Sequence, residues 1–214
     1  MRNGALVGLG SGTTMASLFP TISKRLRKRQ VRVRWVPTSL QITLVAEAFR
    51  EEISIIDRPA LDLVVDGADQ VDSNLNLIKG GGGALLREKV LIDNARRTVI
   101  VVDERKLASK LCGGGVRIPV EAHPFARVPV AEALTAIGGE PRLRLGERGF
   151  PFYTENGNLL FDTLFKPVSR PEILEREIES IAGVMVSGIF TPEPVEVFVV
   201  KEDGSYESRR KPRN

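Results

Sequence analysis

The sequence has 214 residues, of which 42% are hydrophobic and 27% are charged, an ordinary composition for a globular protein with its own core. It has no run of about eighteen apolar residues and no apolar signal segment, and its single cysteine excludes an intramolecular disulfide, so we expect a cytoplasmic protein. The net charge of +4 lies largely in basic runs at 24–29 and 209–213 that lack stacking aromatic residues. We therefore expect a solvated helix face and a frayed terminus, not a nucleic-acid site.

The first half of the sequence alternates apolar segments with helix-forming ones. Helices are expected from about Thr13 to Arg29, after Ser39 as a cap, and around Glu88. Strands are predicted over residues 5–9, 31–36, 53–56, 61–65 and 98–103. The last of these strands is apolar enough to be buried on both faces, and the alternation as a whole predicts a parallel sheet covered by helices.

The pattern changes near the three glycines at 113–115. The second half predicts a helix over 128–137, strands over 150–153 and 159–164, a helix from Pro171 to Gly183, and a strand over 184–190. These elements indicate a small α+β domain. A last strand over 195–200 is then expected to return to the first sheet.

Three loops at predicted strand ends carry the candidate functional residues, because ligands of open parallel sheets bind beyond the carboxyl ends of the strands. The first loop, Gly10-Ser11-Gly12-Thr13-Thr14, combines small residues, hydroxyls and a helix start, which together can cradle a phosphate. A tight turn with a threonine cap would have the same composition. No lysine follows the glycine, as a Walker loop requires, and the third glycine of a nicotinamide-binding turn is missing.

The second loop is Asp66-Gly67-Ala68-Asp69. Two carboxylates three residues apart at a strand end can point into one crevice, where they bind sugar hydroxyls or relay protons. The alternative is a turn in which Asp69 is only a cap. Since no histidine lies nearby and Asp72 is the only further carboxylate, a metal site is not expected.

The third loop begins at Lys79 and continues through the glycines Gly80 to Gly83. Four glycines in succession lose much backbone entropy, which makes sense where a ligand approaches the main chain closely. Lys79 can neutralise a phosphate or the oxygen of a developing enediolate. Glu88, expected in the second turn of the following helix, is either a catalytic carboxylate or a solvated helix charge.

Taken together, eight segments resemble the signatures of the type A family of ribose-5-phosphate isomerases over nearly the whole chain. They are GLGSGTT at 8–14, PTS at 37–39, DGAD at 66–69, KGGGGALLREK at 79–89, DERK at 103–106, IPVE at 118–121, TENGN at 154–158 and AGVMVSGIF at 182–190. The resemblance implies an α/β fold: a Rossmann-like parallel-sheet domain over 1–115 and 191–214, with a smaller α+β, ferredoxin-like domain inserted at 116–190. It also implies a metal-independent homodimer or homotetramer that interconverts D-ribose 5-phosphate and D-ribulose 5-phosphate through a cis-enediolate, in the non-oxidative pentose phosphate pathway.

The resemblance also assigns roles to individual residues. Glu88 would be the general base, Asp66 the proton relay, Asp69 its acid–base and hydroxyl-binding partner, and Lys79 the group that stabilises the enediolate. The implied substrate-binding residues are Ser11, Gly12, Thr13, Thr14, Asp66, Gly67, Ala68, Asp69, Lys79, Gly80, Gly81 and Lys106. No metal or organic cofactor is implied. The family's first helix and its phosphate-binding lysine are not found before Ala5, so either the reading frame begins upstream or a basic residue such as Arg2 substitutes.

Two other functions are weaker. A nicotinamide-dependent dehydrogenase would need an acidic residue after the second strand, where this sequence has Pro37-Thr38-Ser39. A catalytically silent sugar-phosphate sensor domain shares the expected architecture, but it would need a DNA-binding module, for which we see no room before Ala5. It would also have no use for an intact Glu88 and Lys79.

Overall fold

The computed structural model describes residues 1–212, and the chain divides into two compact units. Unit 1 comprises Met1–Gly67, Arg87–Glu104 and the described residues from Pro192 onward, and unit 2 comprises Ala68–Leu86 and Arg105–Thr191. Residues 68–86 and 105–115, which the sequence analysis assigned to the first domain, are therefore part of unit 2. Residues 213–214, the end of the first domain expected from the sequence, lie outside the described residues.

Unit 1 contains a seven-stranded sheet whose strands are β1 (Ala5–Leu9), β2 (Val33–Pro37), β3 (Glu52–Ile53), β4 (Leu63–Asp66), β7 (Thr98–Asp103), β13 (Val195–Val200) and β14 (Tyr206–Lys211). Their order is β14-β13-β7-β4-β1-β2-β3. All neighbouring pairs are parallel except β13 and β14, which are antiparallel. The predicted central parallel sheet is confirmed, and so is the return of the strand at 195–200 to it.

Three helices accompany this sheet: α1 (Gly12–Lys28), α2 (Leu40–Ala48) and α3 (Leu85–Asp93). The predicted cap of α2 is confirmed, because the Ser39 hydroxyl accepts the Ile42 N–H at 3.3 Å. Phe19 of α1 packs edge-on against Trp35 of β2, with ring centroids 5.0 Å apart and both side chains fully buried. One core cluster of unit 1 thus lies between the sheet and the helices α1 and α2, and Ile42 and Ala46 of α2 belong to it.

Three expectations for unit 1 were wrong. The third strand ends at Ile53, because the chain leaves the sheet edge there and Ile55 is 76% exposed. The strand at 98–103 alternates between buried and half-buried residues and is not buried on both faces. The basic tail is not frayed, because residues 206–211 pair with β13 along its whole length. Arg213 lies outside the described residues.

Unit 2 contains two sheets and two helices. The larger sheet consists of β8 (Ile118–Ala122), β9 (Glu140–Leu143), β10 (Leu159–Leu164) and β11 (Val184–Ser187), antiparallel in the order β11-β8-β10-β9. Its helices are α4 (Arg127–Ala136) and α5 (Pro171–Glu179), close to the predicted positions. The smaller sheet joins β5 (Gln70–Val71), β6 (Leu77–Ile78) and β12 (Ile189–Phe190) in the order β12-β6-β5.

The strand predicted over 184–190 is two strands, which belong to the two different sheets. Gly188 separates them: its N–H donates to Pro119 O at 2.7 Å, and its carbonyl accepts the Lys79 N–H at 2.9 Å. A Cβ at Gly188 would lie 2.5 Å from the carbonyl oxygen of Lys79, so only glycine fits. The strand predicted over 150–153 is reduced to isolated bridges of Pro151 and Tyr153. Within residues 1–212, no helix has the length and apolar character needed to cross a membrane.

Candidate active site

The loop between β1 and α1 brings Ser11 to Glu88. Ser11 occupies the N-cap position of α1, but its hydroxyl donates to Oε1 of Glu88 at 3.0 Å and does not cap the helix. Gly12 has a φ of +82°, and its N–H donates to the side-chain oxygen of Gln41 at 3.1 Å. Thr13 and Thr14 lie exposed in the first turn of α1. The loop therefore has one hydroxyl held on a carboxylate and two threonine residues that are exposed.

Asp66 ends β4 and is buried beside Gly10. Its side chain is almost fully buried, and Oδ1 accepts the Gly67 N–H at 2.7 Å. A Cβ at Gly10 would lie 1.8 Å from this oxygen, so the Asp66 carboxylate occupies the space that a side chain at residue 10 would need. Glycine is thus required at position 10 because the Asp66 carboxylate lies so close to its backbone.

Glu88 lies on α3, in the first turn and not in the second as the sequence suggested, because the helix begins at Leu85. Only 5% of the residue is exposed, which excludes the alternative of a solvated helix charge. Gly8 of β1 allows α3 to pack closely, since a Cβ there would lie 3.1 Å from Leu91 Cδ1. Glu88 therefore sits on a helix that is fixed against the sheet, with Ser11 as a hydrogen-bond partner.

In unit 2, Asp69 is held by the glycine loop. Its Oδ2 accepts the Gly81 N–H at 2.8 Å, and its own N–H donates to Ile78 O at 2.8 Å. A Cβ at Gly81 would lie 2.7 Å from Asp69 Oδ1, so glycine is required there because the carboxylate is so close. Gly80 and Gly83 have φ of +102° and +82°, values that favour glycine, and the Gly83 N–H closes the turn on Gly80 O at 3.0 Å.

Lys79 is buried in unit 2, with 3% of the residue exposed. Its N–H is bound to Gly188 O, and its ammonium nitrogen lies 5.6 Å from the centroid of the Phe190 ring. An aromatic face at this distance stabilises a cation in a site where little water is present. Lys106 is half-buried at the end of a short 3₁₀ turn, Glu104–Lys106.

Other polar residues have structural contacts. Arg2 is exposed and pairs with Asp62 at 3.1 Å, at the amino end of β1, the opposite end of that strand from Ser11. It is therefore poorly placed to substitute for a phosphate-binding lysine near Ser11. The Asp72 carboxylate accepts hydrogen bonds from the backbone and side chain of Asn76, which stabilises the turn after β5. In residues 1–212, no group of three or more His, Cys, Asp or Glu is arranged to hold a metal ion.

One contact of the glycine loop, Gly80–Gly83, could not be predicted from the sequence. The guanidinium group of Arg144 donates to the carbonyl oxygens of Gly80 and Gly81 at 3.1 and 2.9 Å. Arg144 is more than sixty residues away along the chain, beyond the predicted helix at 128–137. Neither its spacing nor its neighbours distinguish it from the other arginines.

The described groups suit proton transfer. Glu88 is a buried carboxylate oriented by a hydroxyl, Asp66 and Asp69 are carboxylates held by backbone N–H groups, and Lys79 is a buried cation. The unit boundaries fall within two of the motifs, after Gly67 in DGAD and after Leu86 in KGGGGALLREK. Each of these motifs therefore contributes residues to both units.

Comparison with known proteins gives the family. Residues 34–204 match the family model described as ribose 5-phosphate isomerase A (phosphoriboisomerase A). The chain belongs to this family. It is 42% identical to ribose-5-phosphate isomerase A of Thermosynechococcus vestitus over 89% of this chain and 81% of that protein.

Solved structures agree with this family assignment. The ribose 5-phosphate isomerase A structure from Methanocaldococcus jannaschii has a TM-score of 0.91 and 36% identity, and covers 99% of this chain and 93% of that one. A D-ribose-5-phosphate isomerase in complex with phospho-erythronic acid has a TM-score of 0.92 and 34% identity, at the same coverage. The comparisons give no support to a silent sensor domain.

Proposed function

We propose that this chain interconverts D-ribose 5-phosphate and D-ribulose 5-phosphate, the aldose–ketose step of the non-oxidative pentose phosphate pathway, with Glu88 as the general base. Membership of the ribose 5-phosphate isomerase A family makes it an isomerase. The observation that carries the choice of base is the hydrogen bond from the Ser11 hydroxyl to a Glu88 carboxylate that is 5% exposed. A buried, oriented carboxylate is what a carbon acid needs as its proton acceptor.

In the forward direction Glu88 removes the proton from C2 of the open-chain aldose. The electron pair forms the C1–C2 double bond, and the C1 carbonyl oxygen becomes the enediolate oxygen. Glu88 then returns the proton to C1 while a proton moves from O2 to O1, which leaves the ketone at C2. One carboxylate serves both carbons because they are adjacent in a cis-enediolate.

Asp66 is proposed as the relay that moves protons among O1, O2 and the ring oxygen, and Asp69 as the carboxylate that binds a sugar hydroxyl. Asp66 Oδ1 accepts the Gly67 N–H and Asp69 Oδ2 accepts the Gly81 N–H, so each carboxylate is oriented by the backbone. Carboxylate oxygens are acceptors, which suits them to the hydroxyls of a sugar. The near-complete burial of Asp66 and the partial burial of Asp69 support this division of roles.

Lys79 is proposed to stabilise the enediolate. Removal of a proton from carbon is favourable only if the new oxyanion is neutralised at once, and a fixed cation does this best where water is excluded. With 3% of the residue exposed and an aromatic ring beside its ammonium group, Lys79 has such surroundings.

The remaining substrate contacts are proposed for the loop residues Ser11, Gly12, Thr13, Thr14, Gly67, Ala68, Gly80, Gly81 and Lys106. The exposed residues Thr13 and Thr14 at the start of α1 support a role in binding an anion, because a helix amino terminus favours negative charge. One relative with a similar structure is in complex with phospho-erythronic acid. A phosphorylated sugar acid of that kind is chemically close to the substrate proposed here.

Finer features of the fold and assembly are part of the same proposal. We infer that the segment β8-α4-β9-β10-α5-β11 is a ferredoxin-like domain, supported by its order along the chain and by the antiparallel sheet order β11-β8-β10-β9. The predicted domain ranges 1–115 with 191–214, and 116–190, stay a prediction. A homodimer or homotetramer is supported by apolar side chains that α2 exposes one turn apart, Leu40 and Leu44.

We further infer a cytoplasmic enzyme that needs no metal or organic cofactor and acts on a small sugar phosphate, not on a nucleic acid or a membrane. A single buried cysteine fits a reducing compartment. The set of carboxylates and one cation described above can perform the proton transfers without a Lewis acid.

The test is isomerisation of ribose 5-phosphate by the purified chain in the presence of a chelator, compared with two variants. Glu88→Gln should lower kcat by about 100- to 10,000-fold, while ribose 5-phosphate still binds. Glu47→Gln, an exposed glutamate of α2, is the matched control and should have no effect. Full activity of Glu88→Gln would reject the base assignment, and a chelator-sensitive rate restored by a divalent ion would reject the metal-independent mechanism.

A further inference from the structure

Arg144, just after β9 in unit 2, directs its whole guanidinium group into the protein. Nε donates to Asp162 Oδ2 at 2.8 Å and Nη2 donates to the other oxygen of the same carboxylate, so the pair is bidentate. Nη1 donates to the carbonyl oxygens of Gly80 and Gly81. The arginine side chain is only 16% exposed. The planar guanidinium group thus makes four hydrogen bonds, two to Asp162 of β10 and two to the glycine loop, Gly80–Gly83.

The surroundings of Arg144 restrain it further. Its N–H donates to Leu160 O at 2.7 Å, and its carbonyl accepts the Phe152 N–H at 3.0 Å, so its backbone is held on both sides. The guanidinium carbon lies 5.8 Å from the centroid of the Phe152 ring. The same ring covers Gly83, where a Cβ would lie 2.8 Å from Phe152 Cε1. Arg144 and Phe152 therefore form one wall, against which the glycine loop Gly80–Gly83 packs.

This wall determines the direction of the loop's N–H groups. In a trans peptide the carbonyl of one residue and the N–H of the next point in opposite directions. Because the carbonyls of Gly80 and Gly81 both face Nη1, the N–H groups of Gly81 and Gly82 are directed away from Arg144. The Gly81 N–H is the one that donates to Asp69 Oδ2 at 2.8 Å. The peptide group between Gly80 and Gly81 thus binds Arg144 through its carbonyl and Asp69 through its N–H.

We propose that Arg144 is a positioning residue for the isomerase reaction: with Asp162 it fixes the glycine loop so that the loop holds Asp69 in its working orientation. The inference rests on the proposed function, in which Asp69 binds the sugar. Lysine cannot replace arginine in this role, because its single ammonium group cannot bind a carboxylate in bidentate fashion and two carbonyls at fixed angles.

The experiment is a double-mutant cycle on kcat/KM with ribose 5-phosphate, using Arg144→Lys, Asp69→Asn and the double variant. Arg144→Lys alone should lower kcat/KM by about 100-fold, a loss that a misplacement near 1 Å can cause. In the Asp69→Asn background the same substitution should have little further effect, because the group that it positions is already lost. Asp162→Asn should resemble Arg144→Lys. Arg142→Lys, an exposed arginine of β9, is the matched control and should leave the rate unchanged.

Amide hydrogen exchange on the same proteins provides a measurement that does not depend on activity. Exchange at Gly81 should be faster in Arg144→Lys than in the wild type, while the thermal midpoint changes little. The proposal is overturned if Arg144→Lys has wild-type kcat/KM, or if its loss is equally large in the Asp69→Asn background, which would indicate a general structural role. A wild-type chain without isomerase activity would instead reject the proposed function. The Gly81 exchange rates would then decide separately whether Arg144 holds the loop.

Discussion

The close approach of Asp66 to Gly10 allows a quantitative prediction for Gly10→Ala. A Cβ at residue 10 would lie 1.8 Å from Asp66 Oδ1, about 1.6 Å short of the 3.4 Å at which ordinary contact begins. Asp66 is almost fully buried, so its carboxylate has little room to move without displacing its neighbours. Overpacking of this kind costs about 1–3 kcal/mol of stability. Since a 1 Å misplacement of a reacting group can cost about 100-fold in rate, we expect kcat to fall by at least about that factor.

The assay for Gly10→Ala is steady-state isomerisation together with urea unfolding. Gly146→Ala is the control, because its Cβ would meet only Phe150 O, at 3.8 Å, and its φ of −84° suits alanine. In an Asp66→Gly background the stability cost of Gly10→Ala should disappear, because the three nearest atoms all belong to Asp66. The reasoning is refuted if Gly10→Ala retains the kcat and the unfolding midpoint of the wild type.

Three further predictions concern single residues. Ser11→Ala should lower kcat by about tenfold while Ser17→Ala does not, because a hydrogen bond to a charged group is worth about 1.5 kcal/mol or more; equal rates for both variants would contradict this. Burial raises the pKa of the Cys112 thiol to about 11, so at about pH 8 a thiol reagent should label the folded chain far more slowly than the unfolded one, and equally fast labelling would contradict its burial. The pKa of the Asp62 carboxyl is lowered, mainly because it accepts a hydrogen bond from the Leu6 N–H and next because it accepts one from Arg2. The ionised carboxylate therefore stabilises the folded chain above about pH 4, and this stabilisation is lost as the pH falls through the pKa of Asp62 in the folded state. Urea unfolding should therefore show Asp62→Asn to be less stable than the wild type at neutral pH, with a gap that closes in acid; a constant gap would show that ionisation of Asp62 is not the cause.

Elements with strong local signals could be predicted from the sequence. Ser39 before an apolar segment predicted the cap of α2, and the apolar run at 195–200 predicted a strand of the parallel sheet. The two-residue strands β5, β6 and β12 could not be predicted, because they depend on pairing with distant residues and have no period of their own. The strand β14 was missed because charged side chains dominate its sequence, as an edge strand allows.

The candidate site was predicted in its composition but not in its detail. Two glycines, Gly10 and Gly81, suggested the close approach of a ligand, whereas in the structure the nearest atoms at those positions are the carboxylates of Asp66 and Asp69. The hydrogen bond between Ser11 and Glu88 joins residues 77 positions apart, and the hydrogen bond from Arg144 to the Gly81 carbonyl joins residues 63 positions apart. Contacts at such separations follow from the tertiary fold, so a local pattern contains no information about them.

The most direct test of the central claim, proton transfer by Glu88 through an enediolate, uses ribose 5-phosphate that carries deuterium at C2, in ordinary water. A carboxylate that takes the deuteron can exchange it with solvent before returning a proton to C1. We therefore predict that the wild-type chain releases deuterium to water as ribulose 5-phosphate forms, and that Glu88→Gln releases essentially none. Release of deuterium by Glu88→Gln at the wild-type rate, or formation of ribulose 5-phosphate by that variant at the wild-type rate, would contradict the account.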